Sequence, residues 1–265
     1  MFDIISVGDK MRIDKIKKTG SQYTINLDNG EIIKTFEEVI LENGLLYNKH
    51  IDSELLNKIH LDTAYYDSYH KVLSLISKRL RSEKEVDNYL KKIKIPTEQK
   101  TKIITNLKNS NLINDYNFAK AYTNDKMNLT LDGPYKIAKH LQNHHISEDI
   151  INEMINSYKP ELIENHITKI ILKKTKTNKN YTGYILKQKI ISYLIDQGYK
   201  TEDINKYLYL IEENKEISEK KLETLYQKYS KKYKDQELVY KFKSKLLTKG
   251  YTNEQINDFL NKKTA

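Results

Sequence analysis

A mainly α-helical fold of about four tandem three-helix repeats, preceded by a small antiparallel β-sheet, is what this sequence of 265 residues predicts. Three observations carry the prediction. Eight glycines and three prolines are too few for a loop-rich or all-β chain. From Asp62 to the end, apolar residues recur at helical spacing. Within that stretch, one helix-start signal returns at a nearly fixed interval. Thr97-Glu98, Ser147-Glu148, Thr201-Glu202 and Asn253-Glu254 each open a helix, and their glutamates stand 50, 54 and 52 residues apart. Stacked in order, such units are expected to form an elongated, curved solenoid.

Residues 1–60 read differently from the rest. Met11–Ile16, Tyr23–Leu27 and Glu31–Phe36 alternate polar and apolar side chains, as half-buried strands do. Asn29-Gly30 between the last two is a hairpin signal, and a type I′ turn there asks for positive φ at both residues. A three-stranded antiparallel sheet follows, with a short helix over Glu37–Glu42 ending at Asn43-Gly44 and another near Ile51–His60.

Four units are expected after this module, at 61–111, 112–159, 160–213 and 214–265. In the first, Tyr65, Tyr69, Val72, Leu73, Ile76 and Leu80 share one helical face. Ser82 with Glu85 makes a capping box for the next helix, and Pro96-Thr97-Glu98 opens the third. The second unit begins after Asn114-Asp115 with Phe118, Ala119 and Tyr122. It restarts at Gly133-Pro134, where proline suits the first helical turn, and again at Ser147. Helices over Leu162–Lys173 and Ile185–Leu194 lead into the third restart, and helices over Lys220–Tyr233 and Val239–Leu247 into the fourth. Gly198 and Gly250 sit where helices end in a left-handed residue.

Composition narrows the function. No cysteine is present, so disulfides and thiolate metal sites are excluded and a reducing, cytoplasmic setting is expected. No apolar run approaches the roughly 20 residues of a membrane span, and MFDIISVGDK lacks the basic and apolar regions of a signal peptide. No P-loop, dinucleotide fingerprint, nucleophile elbow or HExxH motif occurs. His140, His144 and His145 cluster at one helix end. A zinc site there needs further ligands, with Glu148 the near candidate, whereas histidines at a helix C-terminus are favourable without metal. The chain is therefore expected to be neither an enzyme nor a holder of any cofactor.

The formal net charge is +10, with Arg12, Arg79 and Arg81 the only arginines. Such an excess suits an acidic or polyanionic partner. Arg79, Arg81 and Lys84 flank the first unit's break, with Lys91 on the following helix. Lys120 and Lys126 lie before Gly133-Pro134, and Lys136 and Lys139 after it. The densest run is Lys173, Lys174, Lys176 and Lys179, and Lys228, Lys231, Lys232 and Lys234 repeat the theme. In three units positive charge thus gathers where the first helix meets the second, a face able to follow a phosphate backbone or charged filament. For any single lysine, a solvated helix end complementing its dipole competes with that reading. Direct binding of single- or double-stranded nucleic acid is the alternative function.

Three segments in order resemble one family. Arg81-Ser82-Glu83-Lys84-Glu85-Val86, with Leu90 four residues on, is the first. Leu112-Ile113-Asn114-Asp115, with Phe118, Ala119 and Tyr122, is the second. Gly133-Pro134, with Ile137 and Leu141, is the third. In these the chain is similar to the RecX family, regulators of the RecA recombinase, over residues 60–265. Its β-rich front end resembles the N-terminal extension of Firmicute members. Leu131-Asp132 stands where the family often has a basic residue before Gly-Pro, and the family favours a glycine near His145. The resemblance implies a non-enzymatic negative modulator, and the chain is expected to be a monomer. Such a protein lies along the groove of the RecA–single-stranded DNA filament and inhibits ATPase, strand exchange and coprotease function, with the junction lysines facing acidic groove residues or phosphates.

Overall fold

The computed structural model describes residues 10–178, 180–211 and 215–264, so Lys179 of the predicted basic run lies outside the described residues. Strands β1 (Met11–Thr19), β2 (Gln22–Leu27), β3 (Ile32–Thr35) and β4 (His50–Ile51) form an antiparallel sheet in the order β3-β2-β1-β4. Ile25 stands opposite Ile16 on one side and Ile33 on the other. The two-residue period therefore gathers apolar side chains on one face. Ile25, Leu27 and Ile33 are buried with Val39 and Ile40 of α1 (Glu37–Glu42) and Ile59 of α2 (Ser53–Ile76).

Two details depart from the sequence reading. β4 adds a fourth strand, and at two residues it is too short to show a period. In the β2–β3 turn, Gly30 takes φ +87 while Asn29 stays at negative φ. The Gly30 N–H donates to Leu27 O, the Leu27 N–H donates to Glu31 O, and Asn29 Oδ1 accepts from the Glu31 N–H. One left-handed glycine closes this turn, in place of the two positive-φ residues of type I′.

Helix α2 is also longer than periodicity suggested. It runs unbroken over 24 residues where two helices were expected, so the change of pattern near residue 60 lies inside it. Neither glycine nor proline interrupts Ser53–Ile76, and Asp52 caps its start by accepting from the Leu55 N–H at 2.8 Å. Leu80 falls beyond the helix end and is 51% exposed, so it leaves the apolar face on which spacing had placed it.

The remaining helices follow in threes. After α2 come α3 (Glu83–Lys92) and α4 (Thr97–Asn109), then α5 (Asp115–Leu129), α6 (Pro134–Asn143) and α7 (Glu148–Asn156). Next are α8 (Pro160–Thr177), α9 (Gly183–Asp196) and α10 (Thr201–Asn205), and finally α11 (Lys215–Ser230), α12 (Asp235–Leu247) and α13 (Asn253–Thr264). Glu98, Glu148, Glu202 and Glu254 each lie in the first turn of a third helix, where a negative charge meets the positive end of the helix dipole. Ser147 occupies the N-cap of α7, but its side chain makes no capping hydrogen bond. Thr252 does cap α13, by a reciprocal pair of bonds with Gln255 at 2.9 and 3.2 Å.

The chain divides into two compact units, one ending at Phe118 and the other beginning at Ala119. In the first, Val72, Val86, Leu90, Ile103 and Leu107 are fully buried in one cluster from α2, α3 and α4. In the second, Ile167, Ile171, Ile190, Leu194 and Ile204 form the core of α8–α10, and Leu222, Phe242, Leu246 and Ile256 that of α11–α13.

Successive triplets of the second unit are joined by backbone. The Gly133 N–H, at the start of α6, donates to Gln197 O at 2.7 Å, and the Tyr135 N–H donates to Gly198 O at 3.1 Å. One repeat further on, the Thr182 N–H at the start of α9 donates to Lys249 O at 2.9 Å. Unsatisfied N–H groups of one helix start thus meet unsatisfied carbonyls of another helix end, and the two dipoles attract. The approach needs glycine. A Cβ on Gly198 would lie 2.2 Å from Lys136 N, and one on Gly250 2.0 Å from Thr182 O, and both residues hold positive φ, +89 and +96.

Candidate functional site

The candidate basic residues sit at helix ends, and their neighbours decide which are available to a partner. At the start of α3 the capping box forms as expected. Ser82 Oγ accepts from the Glu85 N–H at 3.2 Å, and Glu85 accepts from the Ser82 N–H at 3.3 Å. Glu85 also draws in both arginines: Arg79 donates to its two oxygens at 2.6 and 3.1 Å, and Arg81 to one at 3.3 Å. Arg81 is largely covered, with 19% of its side chain exposed. Burial alone would raise the Glu85 pKa, but the hydrogen bonds and charge of Arg79, the Ser82 N–H and the charge of Arg81 together outweigh it and hold the carboxylate below its usual range. Arg79 and Arg81 therefore have a task inside the fold, supporting the cap.

Asp132, before Gly133-Pro134, also gathers two cations, without capping α6. Lys136 reaches it at 2.6 Å and Lys126 at 3.7 Å, and Lys136 also donates to Gln197 Oε1 at 2.9 Å. Burial works against the charge of Asp132, yet Lys136 keeps its pKa low. Lys91 pairs with Asp87 at 2.6 Å. Lys174 stands 3.6 Å from the centre of the Tyr193 ring, a cation–π contact.

Lys84, Lys120, Lys139, Lys173 and Lys176 make no ion pair among the described residues. Lys84 is half-buried, and the other four are exposed. The eleven candidates thus separate into six that hold neighbouring side chains and five that make no ion pair among the described residues.

Two groups escaped the sequence reading. His166 is buried, with Nδ1 3.0 Å from the Tyr158 hydroxyl and 3.1 Å from that of Tyr199. Tyr158 donates to Asp132 O at 2.9 Å and Tyr199 to Leu131 O at 3.1 Å. Each hydroxyl has one proton, already given to a carbonyl, so the imidazole proton belongs on Nδ1. Burial first and Lys169 second lower the His166 pKa. A lone histidine inside a helical stretch gives no sequence signal of such a knot. The second group is Lys221 and Lys249, brought together from α11 and the end of α12.

In the predicted histidine cluster, His140 and His144 lie beside Tyr122, with ring centres 6.3 and 6.1 Å from its own, and His145 is exposed. Among the described residues no three His, Asp or Glu side chains converge as metal ligands do. No helix among them is long and apolar enough to cross a membrane.

The family model for the second three-helix domain of RecX matches residues 114–155, the span of α5 to α7. The regulatory protein RecX of Streptococcus pneumoniae serotype 19F is 32% identical over 253 residues, covering 91% of this chain and 95% of that protein. The chain belongs to the RecX family. Regulatory protein RecX of Listeria monocytogenes serovar 1/2a is 29% identical, over 92% of this chain and 93% of its own length. A crystal structure of regulatory protein RecX superposes with TM-score 0.66 at 26% identity, spanning 74% of this chain and 97% of that one. RecX from Lactobacillus salivarius, with TM-score 0.50 at 24% identity over 56% of this chain, shares the fold. RecX proteins being regulatory, this chain has a RecX-type regulatory role, and its helical repeats are those of the solved relatives.

Proposed function

We propose that this chain is a negative modulator of the RecA recombinase. It binds along the groove of the RecA–single-stranded DNA filament and inhibits ATPase, strand exchange and coprotease activity. One observation carries the reading: over nine-tenths of its length the chain matches proteins named regulatory protein RecX. The surface is in keeping with it. Lys84, Lys120, Lys139, Lys173 and Lys176 carry charge that nothing else among the described residues neutralises, as contact with acidic side chains or phosphates asks. The chain works as a monomer in the cytoplasm, without cofactor.

The test is RecA-dependent ATPase and strand exchange with the purified chain. Inhibition is expected, and charge reversal at Lys84, Lys120 and Lys139 should weaken it. A folded chain that leaves both reactions unchanged would sink the proposal. Lys84 is a better probe than Arg79 or Arg81, because reversing either arginine also strips a partner from Glu85. Direct nucleic-acid binding predicts instead that single-stranded DNA is held equally well with and without RecA.

A further inference from the structure

Helix α11 has two charged faces that are treated in opposite ways. On one, Glu219 and Glu223 meet Lys262 and Lys263 of α13 at 3.7 and 2.6 Å. On the other, Lys221, Thr224 and Lys228 fall at positions i, i+3 and i+7, a single stripe along the helix. That stripe forms one wall of a cleft of about 340 Å³, with Lys249 and Asn180 also lining it. Among the described residues no carboxylate lines the cleft, and Lys228 and Lys249 make no ion pair.

These lysines are positioned from two triplets. The Lys249 carbonyl is held by the Thr182 N–H at 2.9 Å, and the backbone turns at Gly250 with φ +96. Lys221 Nζ reaches Asn178 O at 3.4 Å. Burial, and then the charge of Lys249, lower the Lys221 pKa, so the cleft penalises its own ammonium groups. A solvated helix face mixes signs, as the opposite face of α11 does. A concave one-sign cluster instead focuses a potential that an anion would relieve.

We infer that this cleft binds phosphate groups. Phosphate suits it better than carboxylate, because it brings up to about two negative charges and three acceptor oxygens to several converging ammonium groups. The Asn180 amide adds a neutral donor at the rim. A free polyphosphate and the backbone of a nucleic-acid strand present the same chemistry. The cleft stands apart from the RecA reading, since it requires phosphate alone.

The full chain is titrated, without RecA, with tripolyphosphate and separately with oligothymidylate, following both heat and melting midpoint. Lys249→Met and Lys228→Ala are each expected to lower affinity about tenfold. Lys221→Met should do the same while raising the melting midpoint of the ligand-free chain, and Lys221→Arg should restore binding. Lys263→Ala, on the opposite face, should change neither affinity. A loss confined to tripolyphosphate assigns the cleft to free phosphates, and a loss confined to the oligonucleotide assigns it to a strand. Lys228 is exposed, so its substitution does not threaten folding. If Lys228→Ala binds both probes as the unaltered chain does, or if neither probe binds, the inference is overturned. The RecA assay tests the regulatory role separately, so the two can fail independently.

Discussion

Helices α3 and α6 hold the same place in successive triplets, yet their first turns are satisfied in different ways. The start of α3 is closed by side chains: Ser82 and Glu85 cap each other, Arg79 and Arg81 brace Glu85, and the Glu83 N–H donates to Asp115 Oδ1 at 2.8 Å. The start of α6 has glycine at its N-cap and no capping side chain. Its N–H groups go to Gln197 and Gly198, more than sixty positions along the chain. A helix start can thus be finished locally or by a neighbouring triplet. Damage to the Ser82–Glu85 box should stay local, whereas loss of the α6 contacts breaks the stacking of triplets.

That contrast can be tested from its largest consequence downward. Gly198→Ala drives a Cβ to within 2.2 Å of the Lys136 nitrogen at a positive φ, and should cost upwards of about 3 kcal/mol. Gly250→Ala should do the same at the next junction, and urea unfolding measures both. A loss below about 1 kcal/mol would show that the junction yields, because that is near the ordinary cost of an alanine in left-handed backbone.

Glu85→Gln comes next, with a loss of about 1–3 kcal/mol as the two arginines and the Ser82 N–H lose a charged acceptor. Its pH dependence has a definite sign. The folded pKa of Glu85 is depressed, so its stabilisation is complete above the ordinary glutamate value of about 4.3 and is lost as pH falls through the lowered value. The unaltered chain and the Glu85→Gln variant should therefore converge in stability in acid, and a gap that persists at low pH would refute this account. Ser82→Ala should cost about 1 kcal/mol, without altering hydrogen exchange at Gly133 or Tyr135. Smallest on stability is Lys84→Glu, expected within about 0.5 kcal/mol, although its effect on RecA inhibition should be measurable.

Much of the helical architecture was readable because its signals are local. The capping box at Ser82, the proline at the start of α6 and the left-handed Gly198 and Gly250 act within one or two turns of their own positions. The boundaries were less readable. Leu80 matched the helical period, but α2 ends at Ile76, so spacing alone does not say where a helix stops. The two residues of β4 have no period at all and gain their strand only by pairing with Met11 and Arg12.

The candidate site was legible in kind rather than in detail. Sequence marks where lysines and arginines gather, but charge is neutralised through space. Lys136 meets Asp132 one turn back, as spacing allows, and also Gln197, which spacing does not reveal. Lys221 and Lys249 lie 28 positions apart and share a cleft only because α11 and α12 pack together.

By itself the sequence determined the helical class, the fifty-residue rhythm, the basic balance and the family likeness, since each rests on residue type and short spacing. The tertiary structure alone decided which cations remain open to a partner, which helix starts are closed by a neighbouring triplet, and where like charges are held together. Those depend on distances between residues far apart in the chain, and packing, not periodicity, sets such distances.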